Sequence, residues 1–462
     1  MKRLITVILI LGCALHAQAQ QALSLDSCRA MAQRHHLAVQ QARIGVEQAR
    51  LTKDAALSKY FPTLTANAGY FHSLTPIIDI STAESHADVD ATIHYNGASV
   101  SGSTLEDIIR EEFGNLVDNL SVDVHIKALD HGAFAGLMLT QPIFAGGRII
   151  NGNKLAQLGI DVAEVQLAMS EDEVTLNAES AYFQLLALQA KEGTLLQALC
   201  FVDTLLRDAS AAHAAGVIGK NDLLKVRLKR SELLAQQTQL NNGIVLASLA
   251  LRQLVGLPIS DTMPLLLDTS ALLVPTRSLA MPNVERRKEV ALLDAAGRAE
   301  ELKLSMLIGE GAPQIALTAT YGMSNLFGDQ FKRNGMALLS VSLPITGRWE
   351  NYRNYQQQRL SLEAARLQRD DLKEKMELQN RQICNQLSEA YDLLAIKSQA
   401  VSDAQENLLE MRSYYHAGLA TTSDYLEAQT LLQQAQNERI DQAIAFRQAL
   451  TRYQQISQVT QL

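Results

Sequence analysis

Residues that break helices are almost absent from two long stretches of this chain. No proline occurs between Pro142 and Pro258, and neither glycine nor proline occurs at 348–417 or at 419–462. Because proline removes a backbone donor and glycine weakens a helix interior, the pattern predicts uninterrupted helices of about 70 residues. At about 1.5 Å per residue, such a helix is roughly 100 Å long, which excludes an ordinary globular core.

Apolar residues recur along these stretches with a period of 3.5 residues. Counted alternately four and three residues apart, nine of these ten positions are apolar: Ile383, Leu387, Ala390, Leu394, Lys397, Val401, Ala404, Leu408, Met411 and Tyr415. This period is typical of helices that supercoil around one another. Polar residues suit wetted faces beside the seam: Gln379, Asn380, Gln382, Asn385 and Gln386. A ring of such helices around a water-filled tube explains the pattern, and a solid coiled-coil rod is the alternative.

The two halves of the chain repeat the same landmarks at the same spacing. Pro62 precedes Tyr70 by eight residues, as Pro313 precedes Tyr321. Pro142 precedes Gly216 by 74 residues, as Pro344 precedes Gly418. Alternating apolar residues between the landmarks predict two short strands in each half, followed by Gly-Arg and the long helix. These strands are expected at 64–70, 134–141, 315–321 and 337–343. The regular spacing indicates one duplicated structural unit.

The N-terminus has the composition of a signal peptide. Lys2 and Arg3 precede a short apolar run, and Ala17-Gln18-Ala19 is a cleavage motif. Gly12-Cys13 offers lipoprotein processing as the alternative. The prolines clustered before position 283 predict a linker between the halves. The predicted organisation is a signal peptide at 1–19, a first repeat at 20–256, a linker at 257–283 and a second repeat at 284–462.

The first strand pair encloses an acidic insert, 73–132, that the second pair lacks. It holds eleven acidic and two basic residues, a net charge of −9 against −8 for the whole chain. Histidines in and beside it match no metal-ligand spacing: His72, His86, His94, His125 and His131. We therefore expect a solvated acidic loop that faces the cell exterior, with a metal site as the alternative.

The remaining composition excludes several classes of protein. Cys28, Cys200 and Cys384 are odd in number and far apart, so buried thiols are expected rather than a disulfide framework or a metal site. No apolar run of about 18 residues follows the leader, so no transmembrane helix is expected. The net negative charge argues against nucleic acid as a partner.

Four short strands cannot close a barrel, and open sheet edges are not tolerated in lipid. Membrane barrels start at about eight strands, so we expect the chain to oligomerise. Trp349 and Tyr352 follow the last strand, where an aromatic belt at the membrane interface would lie. Ordinary aromatic residues on a helix surface are the alternative for these two.

The order of these elements resembles the TolC family of outer-membrane efflux proteins from Leu25 to about Ser457. The helical tips are the most specific part, since Gly216 and Gly418 are each followed six residues later by Asp and then by an apolar pair. The resemblance implies a mainly α protein with a trimeric, twelve-stranded membrane β-barrel and a periplasmic α-helical tunnel. It also implies a homotrimer in outer-membrane lipid, a periplasmic adaptor (membrane fusion protein), an inner-membrane RND or ABC pump, and no cofactor or metal.

The same resemblance assigns roles to residues of the tips. Adaptor docking falls on two short turns: Gly216, Val217, Ile218 and Gly219, with Gly418, Leu419, Ala420 and Thr421. Asp222 and Tyr415 take the positions of a hydrogen-bonding pair at the entrance gate. Asp424 and Glu427 take the positions of acidic residues that line the constriction. Ala420 stands where the family pattern has an arginine, so the resemblance does not predict the ion-pair part of the gate.

No catalytic motif stands out, because G-x-S-x-G, H-E-x-x-H and P-loop sequences are absent. The sequence therefore predicts a passive outer-membrane exit channel for multidrug efflux or type I secretion, and not an enzyme. A structural coiled-coil protein of the cell envelope is the alternative. The alternating strands argue against it, because a rod does not need them.

Overall fold

The computed structural model describes residues 23–74, 78–81, 93–95, 98–100, 125–128, 131–260, 265, 267, 280–325, 330–345 and 347–457. The predicted leader at 1–19, including Cys13, lies outside the described residues. So do most of the insert at 73–132 and most of the linker at 257–283.

The described helices are α1 (Leu25–His35), α2 (Leu37–Ser58), α3 (Arg148–Ala214), α4 (Lys220–Val255), α5 (Lys288–Glu310), α6 (Gly347–His416) and α7 (Thr422–Ser457), with a short 3-10 helix at Val284–Arg286. The described strands are β1 (Thr63–His72), β2 (Ile78–Ser81), β3 (Ile93–Tyr95), β4 (Ala98–Val100), β5 (His125–Ala128), β6 (His131–Ala145), β7 (Gln314–Ser324) and β8 (Lys332–Ser342). The predicted order of strand pair, long helix, tip and return helix is therefore observed twice.

The two long helices run without interruption, as the distribution of helix breakers predicts. Helix α3 has 67 residues and α6 has 70. All ten seam positions of α6 are buried or half-buried. Lys397, the polar member of the seam, reaches Oε2 of Glu438 on α7 at 2.8 Å through its Nζ. Its hydrogen bond lowers the pKa of the Glu438 carboxyl. The seam thus tolerates one charge because the return helix supplies a partner.

The main sheet is antiparallel and has the order β1-β6-β7-β8. Strands of both repeats meet in it, because β6 of the first repeat pairs with β7 of the second. The register shifts between Pro142 and Phe144, where proline cannot donate to the ladder and a bulge accommodates it. Among the described strands, β1 and β8 each have one neighbour in this sheet, so each leaves one edge unpaired.

The two faces of the sheet differ in polarity. Cross-strand neighbours on one face are apolar, as in the row Leu64, Leu139, Ala319 and Ala337. Neighbours on the other face include a row of threonines at 63, 140 and 318. Many apolar residues of the first face are exposed in the single chain. An exposed apolar sheet face of this kind requires a covering medium or partner.

The chain divides into two compact units that cut across the repeats. One unit comprises the described residues within 1–51, 157–299 and 362–462, and the other comprises the described residues within 52–156 and 300–361. The first holds the buried clusters between α1, α3, α4, α6 and α7. The second holds the main sheet.

Two expectations from the sequence are wrong in detail. Asn380 is 1% exposed rather than wetted, because it accepts a hydrogen bond from Arg287 at 3.1 Å and donates one to the carbonyl oxygen of Pro282 at 3.1 Å. Cys28 is buried as expected, but Cys200 is exposed.

A separate observation concerns membrane-spanning helices. Within the described residues, α3 contains an 18-residue window of mean hydropathy 1.2, which is long and apolar enough to cross a membrane. This window is not an unbroken apolar run, so the criterion of about 18 consecutive apolar residues does not detect it. Tyr182 and Leu186 of α3 are buried in the core of the first unit, so we interpret α3 as a core helix.

Candidate functional site

Both tips end their long helix through the same backbone geometry. Gly216 has φ +75° and Gly418 has φ +74°, in the left-handed region that glycine adopts without strain. The N–H of Val217 donates to the carbonyl oxygen of Ala212 at 2.9 Å, and that of Leu419 donates to the carbonyl oxygen of Tyr414 at 2.9 Å. These bonds satisfy carbonyl groups that a helix end would leave without partners.

The residue after each glycine is a large apolar side chain that points into open surroundings. Val217 is 76% exposed and Leu419 is 78% exposed. By contrast, Ile218 is half-buried, and its carbonyl oxygen lies 3.1 Å from Nδ1 of His213. Each tip therefore presents one exposed apolar residue at the same position of its repeat.

Gly219 and Thr421 start the two return helices in different ways. Gly219 is the N-cap of α4 and offers no side-chain cap. Thr421 and Asp424 form a reciprocal cap on α7, since the Thr421 N–H donates to Asp424 Oδ2 at 2.9 Å and the Asp424 N–H donates to Thr421 Oγ1 at 3.2 Å. Ala420 lies half-buried between Leu419 and this cap.

The cap stabilises the ionised form of Asp424. The backbone N–H and the hydroxyl of Thr421 donate to this carboxylate and hold the pKa of Asp424 below its ordinary value. Its side chain is nevertheless exposed, and Glu427, three residues later, is exposed on the same face of α7. The two carboxylates thus share a solvent-facing stripe at the tip.

Asp222 lies in the first turn of α4, and its Oδ1 is 3.6 Å from the Nζ of Lys225. Lys225 Nζ also donates to Ser423 Oγ at 2.7 Å. This contact joins the return helices of the two repeats. Lys225 is not among the residues predicted for the gate, although its position one helical turn after Asp222 is a usable signal.

Tyr415 lies in an aromatic cluster between helices. Its ring stacks on that of Tyr425, with centroids 5.0 Å apart, and Tyr425 meets Phe201 edge-on at 4.8 Å. The cluster joins α6, α7 and α3. Among the described residues of one chain, no hydrogen bond connects Tyr415 with Asp222, so that pair stays a prediction.

Exposed aromatic residues mark the two ends of the main sheet. Tyr70 of β1 and Tyr321 of β7 lie on the apolar face near the strand ends that lead into loops. Trp349 and Tyr352 are exposed in the first turns of α6, just after β8. Aromatic side chains are enriched at both membrane–water interfaces of membrane proteins.

Comparisons with solved structures identify this fold. The chain is similar to the CmeC outer membrane channel of Campylobacter jejuni, with a TM-score of 0.71, 14% identity, and coverage of 94% of this chain and 85% of that one. It is equally similar to the outer-membrane channel OprN, with a TM-score of 0.71, 14% identity, and coverage of 94% and 89%. The outer membrane protein VceC of Vibrio cholerae gives a TM-score of 0.67, 16% identity, and coverage of 95% and 97%.

No protein-family model matches the sequence, and no curated protein matches it. The fold is that of the outer-membrane channels of the TolC family. The resemblance predicted from the sequence is therefore confirmed at the level of the fold.

Proposed function

We propose that this chain is the outer-membrane exit channel of a tripartite efflux or type I secretion system. The observation that carries the proposal is the main sheet, with its apolar exposed face and two unpaired edges. A structural coiled-coil rod has no use for such a sheet. The channel fold of the solved relatives supports the same function.

The sheet also supports a closed trimer. Strands β1 and β8 stand first and fourth in a wholly antiparallel order, so they run in opposite directions. The edge of β8 on one protomer can therefore pair antiparallel with the edge of β1 on the next. Three protomers would give a barrel of twelve strands, above the roughly eight that a membrane barrel needs. Closure removes all edges, as lipid requires.

Adaptor docking is assigned to the tips. Val217 and Leu419 are large apolar residues that the single chain leaves exposed at matching positions of the two repeats. Glycine before each keeps the turn free of a side chain, so a partner can approach the backbone closely. Covering these two side chains with a partner would remove exposed apolar surface from water, which favours association.

The entrance gate is assigned to the acidic stripe of α7 and its neighbours. In a trimer, Asp424 and Glu427 would place six carboxylates around one axis, which would attract cations. Lys225 of the first repeat supplies a cation at the tip. The family pattern instead has its arginine in the second repeat, at the position of Ala420. Asp222, Lys225 and Ser423 would hold the return helices together until an adaptor engages. A passive duct of this kind needs no catalytic group.

The first test is biochemical. The mature protein should be extracted from outer membrane in detergent, sediment as a trimer, and form ion-conducting pores in a planar bilayer. Co-purification with an adaptor and an RND or ABC pump would identify the system. A water-soluble monomer without conductance would overturn the proposal.

A further inference from the structure

In the main sheet, the strand pairs of the two repeats align with each other residue by residue. The first strand of each repeat recurs 251 residues later, and the second strand recurs 202 residues later, as the landmark prolines show. Applied to the observed pair Leu64↔Leu139, these two shifts give Ile315↔Val341, which is also an observed pair. The β1–β6 and β7–β8 hairpins therefore share one register.

The same shifts relate charged residues of the flanking helices, but with the signs exchanged. In the first repeat, Arg43 of α2 lies 3.5 Å from Glu171 of α3. The shifted positions hold Asp294 of α5 and Lys373 of α6. Asp294 is bound at 2.5 Å by Arg369, one helical turn before Lys373. The base and the acid have thus changed helices between the repeats.

A third relation concerns the junction between the repeats, where β6 pairs with β7. There Arg148 at the start of α3 lies 3.8 Å from Glu310 at the end of α5. The shifts carry these positions to Glu350, near the start of α6, and Lys59, just after α2. Both side chains are exposed, and neither has an ion-pair partner among the described residues. Glu350 takes the place of Arg148 and Lys59 takes the place of Glu310. The two charges are again opposite, with the acid and the base exchanged.

The shifted strand positions are complementary as well. The observed pair Leu139↔Ala319 of β6 and β7 becomes Val341↔Ala68, and Leu137↔Tyr321 becomes Leu339↔Tyr70. These positions lie on the two unpaired edges, β8 and β1. Val341, Leu339 and Tyr70 are 66%, 60% and 70% exposed in the single chain. Each lies on the apolar face, so pairing would extend that face without a break.

From these relations we infer how two copies of this chain join. Strand β8 of one protomer pairs with β1 of the next in the register Val341↔Ala68, and Glu350 bonds Lys59 of the partner subunit at the base of the seam. The occupant of the edge is a second copy because the internal β6–β7 junction already shows the same join. The inference rests on the proposed trimeric channel and specifies its seam.

The exchange of signs also selects the correct seam. If a protomer docked at the wrong junction, Arg148 would face Lys59, or Glu350 would face Glu310. Like charges in contact oppose association, so each helix start accepts only its own partner. The charges at the β6–β7 junction within one chain therefore differ from those at the β8–β1 junction between two chains.

Disulfide trapping tests the register. In a Cys200→Ser background, the pair Val341→Cys with Ala68→Cys should form intermolecular disulfides on mild oxidation. Ala66→Cys and Tyr70→Cys, each combined with Val341→Cys, keep the same face but shift the register by two residues. Stronger cross-linking in either shifted pair would overturn the register. No cross-link in any pair, in protein that still sediments as a trimer, would overturn the seam, whereas a monomer would count against the proposed channel itself.

Charge reversal tests the ion pair. Lys59→Glu or Glu350→Lys alone should reduce the trimer fraction at limiting concentration about threefold, as expected for an exposed pair repeated at each seam. The double exchange should restore it. Asp54→Lys, a reversal at an exposed position near the end of α2, is the matched control and should have no such effect. Failure of the double exchange to restore the trimer would overturn the Glu350–Lys59 contact.

Discussion

At the scale of single residues, burial should give two cysteines of this chain different reactivities. Cys28 is fully buried beside Glu179, and burial together with that carboxylate raises the pKa of its thiol to about 12. Because the thiolate is the reactive form, Cys28 should resist alkylation at pH 8 while the exposed Cys200 is modified. Mass spectrometry of labelled peptides checks this, and both thiols should react in denaturant. Equal labelling of the two in the folded protein would contradict the packing around α1.

The glycine of each tip is required by backbone conformation rather than by space. Nothing lies within 4 Å of a Cβ built on Gly418, yet its φ is +74°. Gly418→Val should therefore cost about 1–2 kcal/mol at the tip, because a β-branched residue is strained there. Gly418→Asn should cost much less, since Asn tolerates this region. Thermal unfolding of the two variants by circular dichroism compares them, and equal midpoints would argue against the left-handed turn.

At the scale of elements, the start of α7 combines a cap and a charge that can be separated. Thr421→Val removes the two hydrogen bonds of the Thr421 hydroxyl from the cap and keeps both carboxylates, so it should lower the thermal midpoint and leave cation selectivity unchanged. Glu427→Gln removes a charge outside the cap. It should reduce cation selectivity and leave the thermal midpoint unchanged. Reversal potentials in a planar bilayer measure selectivity. If Glu427→Gln selects like the parent, the acidic stripe does not line the passage.

The cap also has a pH dependence. Because the folded pKa of Asp424 is lowered, its contribution to stability is fully present above the unfolded pKa and is lost as pH falls through the folded pKa. The carboxylate therefore keeps its charge below the pH at which an ordinary Asp is protonated. Cation selectivity should accordingly decline in the same acidic range, which titration of the reversal potential would show.

The ties between return helices give a separate prediction about opening. Lys225→Ala removes the contact to Ser423 and the neighbour of Asp222. We expect higher single-channel conductance in this variant and in Tyr415→Phe combined with Asp222→Ala, because the helices at the entrance are less restrained. Lys229→Ala, which removes an ion pair within α4 alone, is the control. Unchanged conductance in both test variants would exclude these residues from the gate.

At the scale of the whole molecule, the paired tips should determine contact with an adaptor. Val217→Ser combined with Leu419→Ser should abolish export and adaptor co-purification while the trimer and its membrane level stay normal. Leu409→Ser changes a leucine that is exposed on α6 away from the turn and serves as the control. Export at the parental level in the double variant would remove the tips from the docking surface.

Sequence periodicity predicted most of the architecture because the determining features are local. The lack of helix breakers, the apolar seam and the strand alternation are each visible in the order of neighbouring residues. Each pattern also occurs in both repeats, which supports its interpretation. Contacts between distant residues could not be predicted in this way. Burial of Asn380 depends on Arg287, 93 positions away, and the Lys225–Ser423 bond spans 198 positions. Only folding places such pairs side by side.

The bare edges of β1 and β8 have a consequence for biogenesis. A newly exported protomer carries two open hydrogen-bonding edges and an uncovered apolar face, which are features that promote aggregation. In the proposed trimer, closing the ring takes three chains, so assembly would slow steeply as protomers become scarce. We therefore expect survival of the unassembled protomer to depend on an escort that shields these edges on the way to the membrane, and underexpression to yield degraded chains rather than fewer complete pores.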